Sequence, residues 1–150
     1  MNEPKITRKT FTELSKHELY DILALRTNVF VVEQECAYPE LDFYDQVSDH
    51  IMIHRDECLV AYARILPPDS VYKEPSIGRI VVKSEFRNKG LARLLFENSL
   101  NLIRELFPHH PVKLQAQTYL EKFYGDYGFE RVSEPYPDFG IMHVDMIAKA

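Results

Sequence analysis

A mixed α/β fold follows from three features of the sequence. There are short apolar runs with strand-like character, two stretches with helical spacing, and a strand–basic loop–helix–strand segment at mid-chain. Their order reads β-α-β-β-β-α-β-α-β-β. A crossover helix joins parallel strands and a tight hairpin joins antiparallel ones, so the expected sheet is mixed. With 150 residues and no repeat, low-complexity tract or linker, residues 1–150 are expected to form a single domain.

Taken in order, Ile6 to Phe11 alternates weakly, as an edge strand does. Ser15 and Glu18 have capping-box spacing, in which each side chain satisfies an orphan amide at a helix start. Leu19, Ile22, Leu23, Arg26, Val29 and Phe30 then recur at helical intervals and predict a helix to about Phe30. Residues 31–45, acid-rich and interrupted by Pro39, predict a long loop or broken helix. Two strand-like runs, Asp49 to Arg55 and Cys58 to Leu66, flank Asp56-Glu57 as a hairpin. After a loop bounded by Pro67, Pro68 and Pro75, Ser76 to Val82 predicts a strand, with Gly78 marking a bulge or close approach. Leu91, Leu94, Leu95, Asn98, Leu102 and Leu106 share one face of a long helix that Pro108 stops. Val112 to Gln117 predicts a strand, and Tyr119 to Tyr127 a short helix closed by Gly128. Phe129 to Val132 and His143 to Ala148 end the pattern as strands, with PYPDFG as a turn between them.

Charge narrows the function. A net charge of −5 argues against a general nucleic-acid binder, which needs a basic footprint. Locally, Arg79, Lys83, Arg87, Lys89 and Arg93 face a single acid, Glu85, which suits a small anionic ligand. No apolar run approaches the roughly eighteen residues of a membrane span, and the N-terminal stretch MNEPKITRKTF does not read as a secretory signal. Cys36 and Cys58 belong to no CxxC pair and to no His/Cys cluster, so no metal site is expected. Reduced thiols and a cytoplasmic location are expected instead.

The chemistry concentrates at Arg87-Asn88-Lys89-Gly90-Leu91-Ala92, between a strand and a long helix. First-turn amides have no internal partner, and the helix dipole adds partial positive charge. Gly90 lets a phosphate approach the backbone, and the small Ala92 leaves the first turn uncrowded. Such a junction can cradle a pyrophosphate, or it can be a plain helix start with surface charge. Neither GxxxxGK[ST] nor GxGxxG occurs, which removes the nucleoside triphosphate and dinucleotide loops.

IGRIVV, RNKGLA, QAQT and FYGDYGF in this order resemble the signature of the GNAT acetyltransferase superfamily. LRTNVFVVEQECAYPELD, AYARIL, LQAQTYLEKFYGDYGF and GIMHVDM further resemble its ElaA-type branch, from about Leu25 to Met146. The resemblance implies a V-splayed sheet holding acetyl-CoA between the strands at 76–82 and 112–117. It implies a pyrophosphate loop at Arg87, Asn88, Lys89, Gly90, Leu91 and Ala92, and a pantetheine arm paired with the backbone of Ile80, Val81 and Val82. The tyrosine of the YxxxGF pattern falls on Tyr124. Ala92 replaces the commoner final glycine of the loop, Leu120 stands where many members have alanine, and Met142 precedes His143 in place of proline.

Direct transfer to an amine needs a base for the amine and a proton donor for the departing thiolate. Tyr124 fits the donor, and it also reads as a packed aromatic beside Phe123 and Tyr127. Glu33 and His143 are the base candidates. Each has a structural alternative, a solvated loop acid and a half-buried strand histidine respectively, and a water chain could replace both. Arg26 and Arg64, in mostly apolar segments, are expected to pair with Asp42, Asp45 or Glu33. The expected reaction is N-acetylation of a small-molecule or peptide amine, without metal, nucleic acid or membrane, by a chain that could dimerise through exposed strand edges. The acids between Glu33 and Asp49 could attract a cationic amine or simply be solubilising surface. The rival readings are a non-catalytic acyl-CoA-binding module and a transferase with another phosphate-bearing donor.

Overall fold

The computed structural model describes residues 3–150. One sheet runs through it, built from β1 (Lys5–Thr10), β2 (Asp49–Arg55), β3 (Cys58–Leu66), β4 (Ser76–Val82), β5 (Val112–Gln117), β6 (Glu130–Arg131), β7 (Tyr136–Asp138) and β8 (Ile141–Ala148). Its order is β1-β2-β3-β4-β5-β8-β6, with β7 also paired to β8. The helices are α1 (Lys16–Arg26), α2 (Leu91–Leu106) and α3 (Glu121–Gly125).

Alternation in β2 and β3 sends side chains to two cores. Ile51, Ile53, Ala61 and Ala63 pack under Leu95, Phe96, Leu100 and Ile103 of α2. On the opposite face Met52 and Tyr62 meet Ile22 and Leu25 of α1 together with Val29 and Phe30. The α2 layer continues into a ring cluster: Phe123, Tyr124, Tyr127 and Phe129 surround Phe96 at centroid distances of 5.0 to 5.8 Å. These contacts dock the short α3 onto α2, since five residues hold no helix in isolation.

The expected elements form, with three differences. The first helix does not run uniformly to Phe30. It is α-helical to Arg26 behind the predicted Ser15–Glu18 capping box, then widens into a π-helical turn over Thr27–Glu33. Thr27, Val29, Val31 and Val32 fall in this turn, where β-branched side chains weaken the preference for a regular α-helix. The segment expected to be only a turn contains β7, which returns to β8 through Phe139 and Gly140, both at positive φ. The short helix begins as a 3-10 turn over Thr118–Leu120 before α3, with Gly128 at φ 91° ending it. The Asp56-Glu57 hairpin forms as expected, both residues having the positive φ of a type I′ turn.

Candidate active site

The site begins with a gap in the sheet. β4 and β5 are parallel, as a crossover through α2 requires, but share a single aligned pair, Ser76 and Lys113. Beyond Ser76 the two strands diverge, and among the described residues, 77–82 of β4 have no strand partner on that edge. A bulge helps to part them: Tyr62 opposes Val81 and Arg64 opposes Gly78, so Arg79 and Ile80 together face Ala63. Arg79 takes the strain, at φ 49°. The disruption expected at Gly78 therefore falls one residue later, on Arg79.

At the open end of the gap a cavity of about 500 Å³ lies between β4, the start of α2 and α3. Gly90 is the residue before α2, at φ 80°, and no side chain caps the helix. A side chain at 90 would be strained by that φ, although it would meet no neighbouring atom within 4 Å. Eight of the nine residues expected to hold the cofactor, 80–82, 87, 88 and 90–92, line this cavity. Lys89 does not, its Nζ standing 5.7 Å from the centroid of the Phe86 ring. Arg87 donates from Nε to the Val82 carbonyl at 3.0 Å and presents its other nitrogens to Glu33 at 2.5 and 3.1 Å. Glu33, expected beside a substrate amine, is thus paired with Arg87 across the mouth of the gap.

A second cavity, of about 260 Å³, continues inward and shares Ile80, Val81, Val82, Arg87, Leu120 and Tyr124 with the first. Glu33, Tyr124 and His143, the three residues expected to carry the chemistry, all line it. The Tyr124 ring packs edge-on against Phe96 at 5.1 Å, so the packed-aromatic alternative is true of the ring. Burial, with a smaller contribution from Tyr119, pushes the Tyr124 hydroxyl well above the usual phenol range, so it remains an O–H donor at neutral pH. His143 is bound from Nδ1 to the Ile141 carbonyl at 2.7 Å. A carbonyl only accepts, so Nδ1 carries the proton and the neutral ring keeps its acceptor lone pair at Nε2.

The residues the sequence left unplaced form a buried ionic network that reaches this cavity through Arg79. Arg26 is fully buried and donates from Nε to Glu40 at 2.8 Å and from Nη1 to Asp45 at 2.7 Å. Arg64 binds Asp42 in bidentate fashion and Asp45 at 3.0 Å. Arg79 joins the network through Nη1, to the Tyr38 hydroxyl at 2.6 Å and Glu40 at 2.7 Å. Burial and the bond to Glu40 push the Tyr38 hydroxyl up to about 12. Of the expected partners, Asp42 and Asp45 are used and Glu33 is not; Glu40 and Arg79 complete the set. The signal for Arg79 lay in the bulge marked by Gly78, and that for Glu40 in an acid next to the loop proline.

Among the described residues no three His, Cys, Asp or Glu side chains gather as metal ligands, and no helix is long and apolar enough to cross a membrane. An open strand edge, an uncapped helix start after a glycine and the adjoining cavity fit the diphosphate and extended arm of a coenzyme A thioester.

A family model described as an acetyltransferase (GNAT) domain matches residues 13–150, and the chain belongs to that family. Within it the ElaA-type branch stands out. The protein ElaA of Escherichia coli K12 is 40% identical over 137 residues, 90% of each chain. The crystal structure of E. coli ElaA superposes with a TM-score of 0.93 at 36% identity, covering 98% of this chain and 100% of the other. A structure described as an acyl-CoA N-acyltransferase from Pseudomonas aeruginosa also gives 0.93, at 41% identity, covering 97% and 99%. Family membership supports an acyl-CoA-dependent acyltransferase built on a mixed α/β GNAT fold.

Proposed function

We propose that the chain transfers the acetyl group of acetyl-CoA to a primary amine by direct attack within a ternary complex. The observation that carries this reading is the continuity of the two cavities, from the uncapped start of α2 to Tyr124 and His143. The amides of residues 90–92 and the Arg87 guanidinium bind the diphosphate, and the bare edge of residues 80–82 holds the arm of the donor as an added strand. Binding requires Arg87 to exchange part of its pairing with Glu33 for phosphate oxygens.

In the transfer the acceptor nitrogen forms a bond to the acyl carbon as the carbon–sulfur bond breaks. The proton leaving the nitrogen goes to Nε2 of His143, directly or through water. Tyr124 gives its hydroxyl proton to the departing sulfur, which leaves as the thiol, and the proton held by His143 returns to the tyrosinate through water. Glu33, tied to Arg87, serves the cradle rather than the amine. A cytoplasmic setting agrees with Cys36 and Cys58 standing unpaired.

Thermal denaturation and free-thiol release with a panel of amines test the reading together. Acetyl-CoA at a hundredfold excess over its dissociation constant should add about 2.7 kcal/mol of stability, whereas ATP and NAD add nothing. Arg87→Glu combined with Gly90→Asp should abolish the shift. A shift without thiol release from any amine points to a binding module instead.

A further inference from the structure

A third cavity, of about 250 Å³, is lined by Gly78 and Arg79, residues that also line the second cavity. Its wall includes Glu40, Asp42, Arg64, Arg79 and Gln115. The charges around it are matched: Glu40, Asp42 and Asp45 are already bound to Arg26, Arg64 and Arg79. No carboxylate of this group is left to attract a cationic amine. Donors are left instead. Arg79 uses only Nη1, so its Nε and Nη2 make no hydrogen bond to the described residues. Its guanidinium sits 4.3 Å from the Phe30 ring centroid and its side chain is 27% exposed. Arg64 is nearly buried, at 5% exposure, and its Nε is a buried donor without a partner. The unused donors of Arg79, the more exposed guanidinium of this recessed polar wall, are matched by carboxylate oxygens.

We infer that the acceptor is an amine bearing a carboxylate, of the amino-acid kind. Its carboxylate sits on the free Nε and Nη2 donors of Arg79, and its amino group points past Gly78 to His143. Gly78 keeps this passage open. It stands directly opposite Arg64 in the β3–β4 ladder, and a Cβ added there meets no atom within 4 Å. The inference rests on the acyltransferase reading and narrows its substrate.

Binding tests it without knowledge of the best substrate. A panel of N-acetyl amino acids, which are product-like, and the corresponding N-acetyl amino acid amides is titrated calorimetrically into the CoA-loaded protein. At least one acid should bind about tenfold to a hundredfold more tightly than its amide, the effect of losing one or two charged hydrogen bonds. Arg79→Gln should erase that preference, and Gly78→Val, which has ordinary backbone geometry and open space to enter, should block both ligands. Affinity for CoA should remain within about twofold in each variant, a span well under 1 kcal/mol. Equal binding of acid and amide, or no binding of any acid to CoA-loaded protein, overturns the inference and leaves the acyltransferase reading standing. Failure of CoA itself to bind removes both.

Discussion

Tyr124 answers two demands with one side chain: its ring closes the aromatic cluster around Phe96, and its hydroxyl faces the cavities. Tyr124→Phe keeps the ring and deletes the donor. Turnover should fall by about a hundredfold or more while the affinity for CoA, read by calorimetry, stays the same; an unchanged rate rejects the donor role. His50 carries a second residue-scale prediction. Its Nε2–H donates to the Asp45 carbonyl at 3.0 Å, and Nδ1 accepts from the Tyr62 hydroxyl at 2.6 Å, so the neutral ring is satisfied. Burial is the main cause that lowers its pKa, and the neighbouring Arg26 and Arg64 oppose a further positive charge. The sign follows: the unfolded chain takes up a proton near pH 6.5 and the folded chain resists it. The stability His50 contributes is complete above that value and is lost as pH falls below it towards the folded pKa. Denaturant midpoints measured from pH 8 to pH 5 should decline, and His50→Gln should flatten the decline over its upper part.

Among the elements, the loop between the π-helical turn and β2 is held by charge rather than by regular hydrogen bonding. Glu40, Asp42 and Asp45 pin it onto Arg26, Arg64 and Arg79, so the placing of this loop depends on the whole network. Arg26→Met removes a fully buried member and leaves two carboxylates short of a partner. Chemical denaturation should register a loss of about 3–5 kcal/mol; a loss below about 1 kcal/mol would show that the network contributes little. Much at this scale was legible in the sequence. The β4–loop–α2 junction could be read because its signals are local: an apolar run, a glycine, then leucines at helical spacing. Arg26 and Arg64 could be picked out because a cation inside an apolar stretch requires a partner. The identity of those partners could not, since Arg26 meets Glu40 fourteen residues away and Arg79 meets Glu40 across thirty-nine. β7 was hidden for a different reason: Pro135 and Pro137 argue against a strand unless it lies at an edge, and edge position is a property of the assembled sheet.

Across the whole molecule, the parallel pair β4–β5 was expected and formed, while the extent of its separation depends on register, which no local pattern encodes. One aligned pair, Ser76 and Lys113, joins the β1–β4 half of the sheet to the β5–β8 half. Further continuity between the halves comes from α2 and the apolar layer beneath it, and from Tyr38 against Phe139 and Lys113 against Tyr72. Such a molecule resembles a book open at its spine, and a donor laid along the inner margin adds contacts to both pages. Deuterium uptake by the amides of residues 80–82 and 114–117 should therefore slow together when CoA is added, with little change in β1 and β2. Slowing confined to one page would mean that the ligand grips a single half, and that the spine alone keeps the volume in shape.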